Sequence, residues 1–342
     1  SLLGKIILFI PILIITSAIA AYNSYGQDIW LGIRPQRTQL IWWFSYYGIY
    51  RLIIYNKISR KNIEKIIYSV GILEIFTYSI FWIMKGNIPF IHIPYDYRYS
   101  NIRLRADTMI ILIWFIIATN KVLIGEKTKK NIVYVVIILI FEVCCVQTRL
   151  IMVAMSISLL LIFLLWKKSI VIKICCIPVF IIACLVFLQT NMGKDIWKNL
   201  ILDDTDGSVE VRESGKEFYL EELKKSPIIG RGYVNTQYEV ANQKSGINDG
   251  YYVVDNGIIG YLWYYGIIGG IWVLCVFIKV LKLSIQNYIN KKEYTEIILC
   301  MMILILLPNI VCWWWNTSFI FGMMMLISCM EKDNLERKKE EK

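Results

Sequence analysis

Histidine is almost missing from this chain. Among 342 residues His92 stands alone, so a His-based metal centre is excluded. Charge is scarce as well, at 18% of residues against 57% hydrophobic, and the mean hydropathy is +0.54. A soluble domain of this length cannot hide that much apolar surface. Nine cysteines are present, but none falls in the one long polar segment, 190–256. Those at Cys144, Cys145, Cys175, Cys176 and Cys184 lie in or beside apolar runs and read as small apolar side chains, not a disulfide framework. No ten-residue alternating pattern of a barrel appears, and no Gly-rich phosphate loop.

What the chain does have is apolar runs near 20 residues, repeated. Backbone groups in lipid must pair internally, so these spans are helices. The fold class is all-α: a polytopic integral membrane protein of about ten transmembrane helices. The runs are 5–22, 38–55, 66–84, 108–124, 132–147, 149–166, 171–189, 257–279, 294–311 and 316–330. They divide the chain into an N-terminal bundle (1–189), a large extracytoplasmic loop (190–256), C-terminal spans (257–330) and a charged cytoplasmic tail (331–342). Lys5, the run after it and Ala18-Ile19-Ala20 mimic a signal peptide, but a first span is the expected reading in such a chain. Ser1 is not an initiator methionine, and a span before it is left open.

The net charge of +11 does not mean nucleic acid, because Lys and Arg crowd the short loops. Lys57, Arg60, Lys61 and Lys65 follow the second span; Lys121, Lys127, Lys129 and Lys130 the fourth. Lys167, Lys168 and Lys173 follow the sixth, Lys282, Lys291 and Lys292 the eighth, and the tail is basic too. Counting spans puts all of them on one side, which the positive-inside rule makes the cytoplasm.

Two segments then face outward. The first, 85–107, holds Arg98, Arg103 and Arg105, which the same rule disfavours there. The second, 190–256, carries eight Lys/Arg and twelve Asp/Glu. Within it Ser214 and Glu217 make a Ser-x-x-Glu capping box, predicting a short amphipathic helix over about 215–225 that ends at Pro227.

Charges at the membrane edge are the informative ones. Arg149, in the short turn Gln147-Thr148-Arg149, is either a snorkelling arginine or a fixed cation for a lipid phosphate, to which its fork binds bidentately. Arg212, just before the expected helix, would complete an anion site with that helix's N-terminus, or pair with Glu210 or Glu213. Asp255-Asn256, directly before the eighth span, is either an ordinary N-cap or a carboxylate able to serve as base or substrate orienter. Tyr251 and Tyr252 are interfacial belt or stack on a sugar ring. Asp203-Asp204-Thr205-Asp206-Gly207 resembles part of an EF-hand loop, but Leu202 breaks the pattern, leaving an acidic turn. Trp313-Trp314-Trp315 reads as belt.

These pieces resemble a family. Asp255-Asn256, nine residues, Gly266, two residues and Gly269 is similar to the His-Asn-x9-Gly-x-x-Gly signature of O-antigen ligases and polymerases. Pro227-Ile228-Ile229-Gly230-Arg231-Gly232 resembles the family's Pro-x-x-Gly-x-Gly; Thr148-Arg149 its small-polar–Arg turn; Arg212 its arginine near a loop helix. The resemblance covers about 132–282. It departs at Asp255, where ligases carry His; similar polymerases often carry Asp there.

The resemblance implies a metal-independent, inverting glycosyltransferase on the outer face of the cytoplasmic membrane, with no cofactor. Donor and acceptor would be oligosaccharides on undecaprenyl pyrophosphate. Asp255, Arg149 and Arg212 would be catalytic and share one outer cavity. Arg98, Arg103, Arg105, Arg231, Tyr251, Tyr252 and Asn256 would hold substrate. Membrane lipid, a flippase and a chain-length regulator are the implied partners. A ligase-like transferase is the alternative within the class; a polysaccharide or lipid transporter, with Arg51, Glu74 and Glu142 as its candidate charges, is the alternative outside it, and a non-enzymatic receptor a weaker third. Topology is checkable first. In a Cys-depleted variant, a cysteine placed at Ser245 is labelled from outside in intact cells; labelling only after permeabilisation would reverse the orientation.

Overall fold

The computed structural model describes residues 2–88, 92–98, 101–165, 189, 194, 208–291 and 316–340. It is a helical bundle with one small hairpin. Among the described residues three helical stretches are long and apolar enough to cross a membrane: Leu2–Tyr25, Arg60–Ile83 and Gly257–Ile289. Two shorter apolar helices, Met109–Ile124 and Ile151–Leu160, join them. The expected spans 294–311 and, apart from Gln189, 171–189 lie outside the described residues.

Helices α1 (Leu2–Ile7) and α2 (Ile10–Tyr25) form the first span. Pro11 falls in the first turn of α2, where its missing N–H breaks no hydrogen bond. Gly26, left-handed at φ 72°, ends it. The Asp28 carboxylate accepts from the Trp30 and Leu31 amides and starts α3 (Ile29–Leu40). A 3-10 stretch, Ile41–Phe44, leads straight into α4 (Ser45–Ile54). This element therefore begins nine residues earlier than the hydropathy of 38–55 suggests: the Asp28 cap fixes the start, and the polar residues Arg34 to Gln39 are helical all the same.

Helix α5 (Arg60–Ile83) is capped by Ser59, whose hydroxyl accepts from the Asn62 amide. The centre of the bundle is α6 (Met109–Ile124), buried at every residue from Ile111 to Asn120. A helix apolar on all sides is what a central position requires. Gly71 of α5 makes room for it, since a Cβ there would sit 2.5 Å from the Trp114 ring. Tyr68 and Tyr134 pack against the same ring at 5.7 and 5.0 Å. Tyr134 belongs to α7 (Thr128–Phe141), which runs into a π-turn, Glu142–Val146, and then α8 (Arg149–Leu165).

Between α5 and α6 stands an antiparallel hairpin, β1 (Tyr95–Arg98) and β2 (Asn101–Leu104), with Asp96 opposite Arg103. It is the one departure from an all-α chain among the described residues. Ile102 and Leu104 are buried, and the Trp82 indole donates to the Ile102 carbonyl at 2.9 Å, so the strand is pinned to α5.

The long polar segment contains α9 (Ser208–Lys225) and α10 (Glu239–Lys244), and a 3-10 turn, Val253–Asn256, leads into α11 (Gly257–Lys291). The helix expected from 215 begins at Ser208 instead, and Ser214 lies inside it. The Ser-x-x-Glu spacing is a local signal; here the helix continues through it, with Glu210 favourably placed in the first turn. The tail expected after 330 is also helical, because α12 runs from Thr317 to Glu340. Charged pairs hold that end. Glu331 pairs with Lys279 of α11 at 3.1 Å and accepts from the Tyr46 hydroxyl of α4. Asp333 meets Arg60 at 3.4 Å, and Lys121 meets Glu64 at 2.6 Å.

Nine residues into α11 the helix breaks. Gly266 has φ 61° and ψ −162°, about 14 Å below the start at 1.5 Å per residue. Four of the freed backbone groups find partners. The Ile267 and Ile268 amides donate to the Pro227 and Ile228 carbonyls at 2.9 and 3.2 Å, and the Trp263 carbonyl accepts from the Arg231 amide at 2.7 Å. The Ser17 hydroxyl of α2 donates to the Tyr264 carbonyl at 3.2 Å and accepts from the Tyr233 amide at 2.9 Å. Residues 226–235 of the polar segment thus enter the bundle between α2 and the broken helix. Gln27 and Asn235 fasten the far side: Gln27 donates to the Tyr233 carbonyl at 2.9 Å and accepts from the Asn235 amide at 2.8 Å.

Glycine is required where these backbones meet. Gly230 is left-handed at φ 74°, and a Cβ on it would lie 2.6 Å from the Trp263 carbonyl oxygen and 2.7 Å from the Gly266 nitrogen. Gly125 is left-handed too, at φ 82°, but faces open space. Gly125→Ala is expected to cost only the left-handed conformation, about 1–2 kcal/mol. Gly230→Ala must also displace backbone, and the expected outcome is a far larger loss of thermal stability in purified protein. Equal melting temperatures for the two variants would contradict the docked segment.

Candidate functional site

The site is built on one stripe of α9. Arg212, Gly215, Tyr219 and Glu222 recur at helical spacing and share a face. Three of the four are anchored. Gly215 is buried against the Asn256 carboxamide and Tyr251, and a Cβ there would meet the Asn256 Nδ2 at 3.2 Å. Tyr219 is fully buried. Its hydroxyl donates to the Tyr251 carbonyl at 2.8 Å, and its ring packs on Trp263 at 4.9 Å. Burial holds that hydroxyl well above the usual phenol range, with the neighbouring Tyr25 and Asp255 adding to it. Glu222 pairs with the Arg231 guanidinium at 3.1 Å, and Arg231 lies over the Tyr25 ring at 5.3 Å. The helix is therefore clamped onto α2, the docked segment and the first half of α11.

Arg212 continues this stripe by one turn. It is exposed, and no ion pair holds it among the described residues. The turn that carries Asp255 packs beside α9. Its geometry is set by the Asp255 amide, which donates to the Tyr252 carbonyl at 3.0 Å, and by the Asn256 carboxamide, which donates to the same oxygen at 2.8 Å. The Asp255 carboxylate is exposed and without a hydrogen bond or ion pair among the described residues; no cap on α11 occupies it. Asn256, expected to touch substrate, is buried at 1% exposure, with its Oδ1 unpartnered. Tyr252 presents an exposed ring, whereas Tyr251 is half-buried against Phe218 at 5.6 Å.

The other arginines stand elsewhere. Arg105 pairs with Asp96 at 2.7 Å. Arg103 lies 3.9 Å from the same carboxylate and donates from Nε to the Val146 carbonyl at 3.3 Å. Arg98 is in β1 and Arg149 begins α8; their side chains lie outside the described residues. Asp203–Asp206 and Trp313–Trp315 also lie outside them. Among the described residues no group of three or more His, Cys, Asp or Glu gathers to hold a metal ion.

Some of the residues that shape this site escape sequence reasoning. Gly215 and Tyr219 carry no local signal, since a glycine and a tyrosine within a polar helix become informative only with their partners in view. Glu142 did carry one, a carboxyl in an apolar run. It is buried in the π-turn.

A polytopic helical membrane protein with a polar segment docked into a broken helix, and two opposite charges without partners among the described residues, is the class these features define. Residues 134–274 match the family model described as O-antigen ligase, in line with the resemblance read from the motifs. The match spans the second half of α7, the π-turn, α8, α9, the docked segment, α10 and the break in α11. No curated protein and no solved structure matches the chain.

Proposed function

We propose that the protein is a polymerase that joins lipid-linked oligosaccharide repeat units into a cell-surface polysaccharide. The observation that carries this reading is that Asp255 and Arg212 lie on two elements that pack together, the 3-10 turn and α9. Both are free of protein partners among the described residues, and both lie inside the family-matched segment. The family supplies glycan transfer of the ligase or polymerase type. Asp255, standing where the ligase pattern has His, favours polymerase; a ligase-like transfer to another acceptor is the second reading.

In the proposed reaction an acceptor sugar hydroxyl attacks the anomeric carbon of a glycan on undecaprenyl pyrophosphate. The new C–O bond forms as the bond to pyrophosphate breaks, with inversion. A carboxylate is too weak a base to deprotonate a sugar hydroxyl beforehand, so the proton leaves during attack and not before it. Asp255 aligns the hydroxyl and receives that proton, then returns it to water. Arg212 and Arg149 offset the charge that develops on the leaving pyrophosphate. Arg98 and Arg105 on the hairpin, Tyr252 above the site and Arg231 beside it are the groups left to orient glycan or the second lipid carrier. No step needs a metal. The setting is the outer face of the cytoplasmic membrane, beside a flippase that delivers repeat units and a chain-length regulator.

Purified protein in lipid nanodiscs, given lipid-linked repeat units and a chelator, is expected to yield a ladder of longer lipid-linked glycans and free undecaprenyl pyrophosphate. Unchanged repeat units would favour a transporter. Activity lost to chelator and restored by Mg²⁺ or Mn²⁺ would end the metal-independent reading.

A further inference from the structure

The turn that precedes Arg149 is strained, and it is held from outside its own helix. Glu142–Val146 is a π-turn closed by the Gln147 amide, which donates to the Glu142 carbonyl at 2.7 Å. Gln147 is left-handed at φ 54°, a conformation that a residue with a side chain keeps only where its surroundings impose it. Its carboxamide donates back to the Cys144 carbonyl at 3.1 Å. Two residues later α8 begins at Arg149, with the Met152 amide donating to the Thr148 carbonyl at 3.1 Å.

A helix that ends this way leaves its last carbonyls without partners. The Val146 carbonyl receives the Arg103 Nε–H at 3.3 Å. Arg103 is well placed to give it. It lies between Ile102 and Leu104, both buried; Trp82 ties Ile102 to α5; and the Arg105 amide closes the hairpin on the Pro94 carbonyl at 2.8 Å. The Arg103 side chain is 28% exposed, against 65% for Arg105, and both face Asp96. An arginine is charged at every working pH, so this bond to the turn does not titrate away.

We propose that Arg103 is a positioning residue: the hairpin, through Arg103, braces the π-turn and so fixes where α8 and Arg149 begin. The proposal rests on the transferase reading for its consequence, and on the hairpin geometry alone for the brace. It separates two arginines of the hairpin region by task, Arg103 acting on the backbone of the turn and Arg105 pairing with Asp96.

Two measurements on nanodisc-embedded protein test it, using Arg103→Ala and Arg103→Lys. The first is hydrogen–deuterium exchange over residues 142–152. Loss of a charge-assisted bond predicts roughly tenfold faster exchange at the turn in Arg103→Ala, with most of the protection recovered in Arg103→Lys, whose ammonium still donates to a carbonyl. The second is initial rate against lipid-linked repeat-unit concentration. The expected result is a kcat lowered roughly tenfold in Arg103→Ala with KM unchanged, again recovered in part by Lys. Unchanged exchange in Arg103→Ala would overturn the brace. Faster exchange with a raised KM and an intact kcat would overturn positioning and make Arg103 a substrate contact. If wild-type protein forms no polymer, the transferase reading fails, while the exchange result still decides the brace.

Discussion

A helix that breaks inside an apolar bundle leaves amides and carbonyls that neither lipid nor apolar side chains can satisfy, and each unmet group is costly there. At Gly266 that debt is met by main chain and by one hydroxyl. Pro227 and Ile228 offer carbonyls, Arg231 an amide, and Ser17 a hydroxyl. The consequence runs outward. Because residues 226–235 must sit in the break, the polar segment before and after them is tethered on both sides. Helix α9 is drawn down by Glu222 onto Arg231, and the 3-10 turn with Asp255 enters α11 only nine residues above the break. The motif glycines are thus structural in their immediate role and functional in what they hold in place.

Commitment of charge separates the arginines more sharply than position does. Arg231 is paired with Glu222 and covered by Tyr25, and Arg103 and Arg105 share Asp96. Arg212 and Asp255 have no such partner among the described residues, yet they stand on neighbouring elements without being paired to one another.

The helices Leu2–Tyr25, Arg60–Ile83 and Gly257–Ile289 are readable because lipid leaves a helix no choice of partner and apolar length alone announces it. The hairpin was partly written in the alternation Ile102–Arg103–Leu104, but its arginines looked like ligands for substrate when their first partners are an aspartate and a backbone carbonyl. The start of α9 was misplaced because Ser214 and Glu217 make a capping signature that the longer helix overrides. Gly266 and Gly269 were visible as a motif, but not the break itself, which exists only because a segment some forty residues earlier fills it. Likewise 226–235 reads as part of the polar loop: Ser17 and Ala21, which receive it, belong to an apolar run with no mark of the contact, and Gln27 to the short turn after that run.

Asp255→Asn tests the central claim most directly. Asparagine has the same shape and caps a helix as well as aspartate does, but it cannot take a proton. Purified variant and wild type should show the same melting temperature and the same abundance in the membrane. The account predicts that the variant fails to extend lipid-linked repeat units under conditions in which wild type builds long glycans. Full extension by a normally folded Asp255→Asn protein would contradict it and leave Asp255 without a part in the reaction.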